Sequence, residues 1–109
     1  MGYVVDGQEL ECDAEGYLKE ADLRDETCRV IADAEGIELT DAHWAVIRFL
    51  RERFQEDGHS PNFRNLLKGM QEHDAAIDSK ALYDLFPVGP AKQGAKIAGL
   101  PQPYGKGGY

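Results

Sequence analysis

The stretch TDAHWAVIRFLRERF, Thr40 to Phe54, decides how this chain folds. Thr40 can cap a helix N-terminus with its hydroxyl, and Asp41 suits the positive end of the helix dipole. Leu39 and Trp44 stand at the N′ and N4 places of a hydrophobic staple. Trp44, Ile47, Leu50 and Phe54 then recur every three or four residues, and Val46 and Phe49 widen the stripe. A helix with so broad an apolar face has to be covered by other elements. The pattern therefore predicts the longest and most buried helix of a small body, with its aromatic residues in the core.

Working outward, residues 3–18 read as β-structure. Tyr3-Val4-Val5, the turn Asp6-Gly7 and the alternation from Gln8 to Cys12 fit a hairpin, because Asp-Gly accepts positive φ. A second turn at Asp13–Gly16 leaves Tyr17-Leu18 as a short third strand. Such a meander is marginal alone, so helices must cover one face. A helix spans about Asp25 to Glu35, with Val30, Ile31 and Ala34 on one side and Gly36 as its αL terminator. After Asp57-Gly58-His59, Ser60-Pro61 predicts a restart with Ser60 as cap and Pro61 at N1, and Leu66, Leu67 and Met70 form the apolar face. Asp78 or Ser79 caps a short helix that packs Ala81, Leu82, Leu85 and Phe86 before Pro87 stops it. The last helix runs from Ala91 to Ala98, followed by Pro/Gly-rich sequence that favours extended geometry. The expected architecture is α+β and mostly α: a small N-terminal β-meander or hairpin packed on about five helices. Residues 1–99 form one globular domain and residues 100–109 a flexible C-terminal arm.

The chain has 109 residues and a formal net charge of -8, unevenly placed. Residues 1–47 hold thirteen acids and three bases, whereas residues 80–109 hold Asp84 against Lys80, Lys92, Lys96 and Lys106. The front half repels nucleic acid and anionic lipid, while the tail can meet an acidic partner surface. No apolar run is long enough to span a bilayer, and the N-terminus lacks a secretory signal, so the reading is cytoplasmic, without membrane insertion. In that compartment Cys12 and Cys28 default to free thiols. His43, His59 and His73 lie on different elements with no metal-ligand spacing and read as surface or capping residues; no metal or cofactor is expected. The helix–break–helix of residues 41–70, with Arg64 and Lys68 one turn apart, resembles a helix-turn-helix. Net negative charge opposes phosphate neutralisation, which makes nucleic acid an unfavoured partner.

The C-terminal sequence LYDLFPVGPAKQ, Leu82 to Gln93, followed by KIAGLPQP, Lys96 to Pro103, closely resembles the signature of the DsrC/TusE family, the gamma subunit of dissimilatory sulfite reductase and its relatives. The resemblance continues in Asp13–Leu18, in Glu35-Gly36-Ile37, and in His43-Trp44 with Arg48-Phe49, and so covers nearly the whole chain. It implies a small cytoplasmic sulfur-trafficking protein, a β-meander on an array of helices with a C-terminal arm. In that family a penultimate arm cysteine carries persulfide or trisulfide sulfur. DsrC-type members add a cysteine in the last helix, and TusE-type members serve the relay that thiolates tRNA wobble uridine. A thiolate can attack and accept sulfur, and an arm can deliver it into a partner.

This chain departs from the pattern at both cysteines. Counted from the shared Gly-Leu-Pro, they fall on Lys106 and Ala95, so no catalytic residue is assigned. The resemblance implies a non-carrier binding or regulatory member, not itself an enzyme. It would dock on sulfite reductase or a TusBCD-like relay complex through Lys92, Gln93, Lys96, Leu100, Pro101 and Pro103. Two alternatives stay open. One is a sulfurtransferase accessory that uses another thiol, or whose cysteines have been substituted in this chain. The other is a DNA-binding regulator contacting its site through Arg64 and Lys68.

Overall fold

The computed structural model describes residues 2–103. Among them an antiparallel hairpin, β1 (Gly2–Val5) and β2 (Gln8–Glu11), precedes five helices: α1 (Asp25–Ala34), α2 (Asp41–Asp57), α3 (Phe63–His73), α4 (Ser79–Leu85) and α5 (Pro90–Ile97). The α+β, mostly helical architecture expected from the sequence is therefore the one found. The strands pair from Gly2↔Glu11 to Val5↔Gln8, and the turn takes positive φ at both Asp6 (51°) and Gly7 (80°), as a two-residue hairpin loop requires.

The expected third strand shrinks to one bridge, Cys12↔Leu18. Asp13 is the reason. Its Oδ1 accepts the amides of Glu15 (2.9 Å) and Tyr17 (3.0 Å), while its own amide donates to the Tyr17 carbonyl at 2.8 Å as part of the bridge itself. The two side-chain bonds close a tight loop and hold the Tyr17 N–H out of a longer ladder.

Helix α2 begins where the sequence places it. The Thr40 side chain accepts the His43 amide at 3.5 Å, and His43 Nδ1 accepts the Thr40 amide at 3.1 Å, which completes a capping box. With Nδ1 an acceptor, the ring proton sits on Nε2 and is donated to the Leu85 carbonyl at 2.9 Å. His43 thus caps α2 and also ties it to the end of α4, with its ring edge-on to Phe86 at 5.1 Å. It is buried rather than a surface group.

Helix α3 corrects the expected start. Asn62, not Ser60, is the N-cap: its Oδ1 accepts the Asn65 amide at 2.9 Å and the helix opens at Phe63. Ser60 lies two residues too early to reach that amide, and both Ser60 and Pro61 are buried in the connection. Asp78, rather than Ser79, caps α4 through the Ala81 amide.

Fully buried Ile31, Ile47, Leu50, Leu66, Leu82, Phe86, Ile97 and Leu100 form the core. Short α5 lies at its centre, in contact with α1, α2, α3 and α4. Ala91, Gly94, Ala95 and Ala98 make this possible, because small side chains let four helices approach one axis closely. A second close approach joins α2 to α3, where the tip of the Phe49 ring meets Gly69 and a Cβ there would collide with ring carbons Cζ and Cε1. Gly69→Ala is expected to cost about 1–3 kcal/mol through overpacking. It should read out as a lower urea midpoint at unchanged m-value, with Phe49→Leu in the same chain restoring part of the loss.

Candidate functional site

The residues that position the C-terminal end meet around one carboxylate. Glu35 stands at the C-cap of α1, where Gly36 turns the chain away: the Ile37 amide donates to the Ala32 carbonyl (2.9 Å) and the Gly36 amide to Asp33 (3.1 Å). These paired bonds are a Schellman motif, and they fix the Glu35 backbone. Its Oε1 accepts Gln93 Nε2 at 3.0 Å and its Oε2 pairs with Lys96 Nζ at 3.5 Å. Both charged side chains are mostly shielded, at 16% exposed for Lys96 and 20% for Glu35. The other end of the Gln93 amide accepts the Val88 N–H at 3.1 Å, so a single buried glutamine links α1, the turn before α5, and α5 itself. Tyr17 completes the arrangement: its hydroxyl donates to the Lys92 carbonyl at 3.2 Å, and Lys96 Nζ lies 5.2 Å from the centre of its ring.

Helix α5 ends in a second Schellman motif. Leu100 donates to the Ala95 carbonyl (3.1 Å) and Gly99 to Lys96 (3.2 Å), with Gly99 at φ 84°. Gly99 is required twice over, by its positive φ and because a Cβ would strike the Asp22 carbonyl oxygen. Its own carbonyl accepts the Asp22 amide at 2.8 Å. Asp22 is held in turn by Arg24, whose Nη2 donates at 2.8 Å, and by the buried Thr27 hydroxyl at 2.9 Å. The Arg24 hydrogen bond is the largest influence on the Asp22 carboxyl and, with Thr27 adding to it, outweighs burial to lower its pKa to about 2. From Leu100 to Pro103 the chain stays on the body. Leu100 is fully buried, Pro103 is buried, and Gln102 Nε2 reaches Glu15 Oε1 at 2.6 Å.

The residues expected to touch a partner therefore divide. Lys92 is exposed and Pro101 half-buried, whereas Gln93, Leu100 and Pro103 turn into the body and Lys96 is held by Glu35. The inward members fix the shape of this region instead of presenting side chains. Packing continues to Pro103, four residues past the expected boundary at 99. Ala95 is fully buried, and Lys106 lies outside the described residues. Arg64 and Lys68 are exposed on α3, and Lys68 lines a cleft that also holds Asp57 and Glu72, so acids interleave with its positive charge. Glu35, Asp22 and the Val88 turn were not assigned a site role from the sequence. Glu35 lies within the Glu35-Gly36-Ile37 motif and Val88 within the Leu82–Gln93 signature, whereas Asp22 belongs to neither.

The two thiols are buried. Cys12 is 8% exposed and Cys28 fully enclosed. Arg51 Nη2 lies 2.7 Å from Cys28 Sγ, and this cation favours the thiolate, yet burial prevails and pushes the thiol up to about 11. Among the described residues no three His, Cys, Asp or Glu side chains gather to hold a metal, and no helix is long and apolar enough to cross a membrane.

Fold and site together define a small α-rich protein built around a clamped C-terminal helix. The family model described as "DsrC like protein" matches residues 4–106. Sulfurtransferase TusE of Photorhabdus laumondii is 48% identical over 103 residues, covering 92% of this chain and 93% of that protein. The NMR structure of Allochromatium vinosum DsrC superimposes with a TM-score of 0.85 at 42% identity, covering 94% of each chain. The oxidised gamma subunit of dissimilatory sulfite reductase, DsrC, from Archaeoglobus fulgidus gives 0.86 at 35% identity, covering 95% of this chain and 98% of that one. This chain belongs to the DsrC-like family.

Removing the central carboxylate leaves Lys96 shielded without its ion pair and Gln93 without its acceptor, so Glu35→Ala is expected to lower stability by about 2 kcal/mol. Amide exchange should rise first at Val88, Gly89 and Gln93, whose hydrogen bonds depend on the clamp. Asp22 gives a pH signature. Its folded-state pKa lies below the ordinary value of 3.8, so its stabilisation is complete above that value and is lost as pH falls through about 2. Asp22→Asn should therefore cost about 1 kcal/mol at neutral pH. In urea titrations the gap from the unsubstituted protein should narrow as pH drops from about 4 towards about 2.

Proposed function

We propose that this chain serves cytoplasmic sulfur relay as a docking or regulatory member that does not itself carry sulfur. The observation that carries this reading is its thiol inventory. The positions that hold cysteine in the resembling family are Ala95 and Lys106 here, and the two cysteines the chain does have are buried. A persulfide donor transfers its outer sulfur when an acceptor thiolate attacks it, the donor S–S bond breaks, and the donor leaves as a thiolate. Cys28 fails on both counts, being inaccessible and protonated at neutral pH.

What the chain retains is the body that the family uses, with its last helix clamped and its arm directed by Leu100 and Pro101. Relatives named as sulfurtransferases and as a sulfite reductase subunit support protein partners of those two kinds. By occupying the same partner surface without delivering sulfur, the chain would compete with a cysteine-bearing relative.

Incubation with a persulfide donor followed by intact-mass measurement tests this. The natural sequence is expected to gain no sulfur, and Lys106→Cys to gain one atom that prior alkylation prevents. A gain of sulfur on Cys12 or Cys28 in the unsubstituted chain would establish a carrier working through a relocated thiol and overturn the reading.

A further inference from the structure

The two edges of the hairpin differ in their backbone bonding. On the outer side of β2 the Glu11 carbonyl accepts the Lys19 amide at 3.0 Å, and Cys12 bridges Leu18. Outward bonding at Glu11 fixes the parity of the ladder. Glu11 and its register partner Gly2, and likewise Glu9 and Val4, are the non-hydrogen-bonded pairs. The N–H and C=O of Gly2 and Val4 therefore point away from β2. Among the described residues no hydrogen bond from outside the hairpin reaches either one. Edge strands are commonly blunted by a charge, a proline or a bulge, and Gly2-Tyr3-Val4-Val5 has none of these.

This edge is held rigidly from one face. Val5 is fully buried, α1 packs against the strand, and half-buried Tyr3 donates its hydroxyl to the Gly16 carbonyl at 2.8 Å. Val4 alternates to the opposite face, 63% exposed, directly across from Glu9. An isolated surface valine needs no explanation, but this one stands above an open pair of backbone groups.

Charge selects what can add here. Residues 1–24 hold seven acids against two bases, Lys19 and Arg24. Both bases are engaged, Lys19 with Glu11 at 3.8 Å and Arg24 with Asp6 at 3.8 Å and Asp22 at 2.8 Å. Glu9 is exposed and has no ion pair among the described residues. A second copy of the chain would set this acidic end against itself, whereas a basic strand meets complementary charge.

We propose that β1 is a docking edge for an extended segment of a partner protein in which lysines alternate with apolar residues. The segment adds antiparallel to β1 as a further strand. The Val4 N–H donates to the carbonyl of the lysine opposite it, and that lysine's N–H donates to the Val4 carbonyl. The lysine stem lies over the Val4 side chain and its ammonium reaches toward Glu9. The apolar residues fall on the face of Tyr3 and Val5. None of this depends on whether the chain carries sulfur.

The probe is the acetylated and amidated pentapeptide Lys-Val-Lys-Val-Lys, titrated into the full ¹⁵N-labelled chain. Saturable shifts are expected across Gly2–Val5, with slower hydrogen exchange of the Val4 amide at saturating peptide. Glu9→Lys should weaken binding about tenfold, and Val4→Pro, which removes an N–H that β2 does not use, at least as much. Melting curves check that each variant keeps its fold. The same peptide N-methylated at its three lysine amides keeps the charge and loses the donors, so it separates pairing from attraction without altering the protein. Equal binding of the methylated peptide reduces the contact to charge alone and overturns the proposal, as does an absence of saturable shifts at β1. Sedimentation of the chain without peptide covers the remaining occupant. A dimer that Val4→Pro dissociates would place a second copy on the edge and also overturn the proposal.

Discussion

Helix α5 runs through the centre of this molecule on a face of Ala91, Gly94, Ala95 and Ala98 that carries almost no side-chain bulk. Close approach by its neighbours is what the small residues permit, and the core of Leu50, Phe86 and Ile97 depends on it. Small residues cannot anchor a helix by themselves, however. The hold comes from Glu35, which grips Gln93 and Lys96 from the end of α1, and from the Asp22–Gly99 hydrogen bond below. A carboxylate shielded among polar partners is tolerated here because both its oxygens are engaged.

The same constraint shapes what the C-terminal region can do. Since Gln93, Leu100 and Pro103 are turned inward, the outward features of this end are the Val88 turn, Tyr83 and Lys92. None of these is a nucleophile suited to sulfur. Cys28 is a nucleophile in name, but a guanidinium 2.7 Å away does not compensate for the loss of water around its thiol. The chain belongs to the DsrC-like family, and recognition of protein partners is the role proposed for its described body.

Most of the secondary structure was legible from local signals. Thr40, Asp78 and Gly36 act as the sequence suggests, since a cap or an αL terminator needs only the next few residues. The misses were competitions between neighbours. Ser60-Pro61 is an acceptable helix start, but Asn62 stands closer to the first apolar turn and reaches the Asn65 amide. Tyr17-Leu18 has the composition of a strand, but the Asp13 side chain holds the Tyr17 N–H in the turn. Of the candidate site, the segment from Lys92 to Pro103 was visible as a motif, whereas which side chains point inward was not.

The sequence by itself determined the helices, the hairpin turn, the family resemblance and the missing cysteines at positions 95 and 106. Each of these is written in residues near one another or in their identity alone. Only the tertiary structure decided that Gln93 and Leu100 serve the interior, that Glu35 is the clamp, and that Cys28 is sealed against Arg51. Those outcomes join residues far apart in the chain, 58 between Glu35 and Gln93 and 23 between Cys28 and Arg51. Burial and pairing belong to the packed ensemble of elements, and no local pattern specifies them.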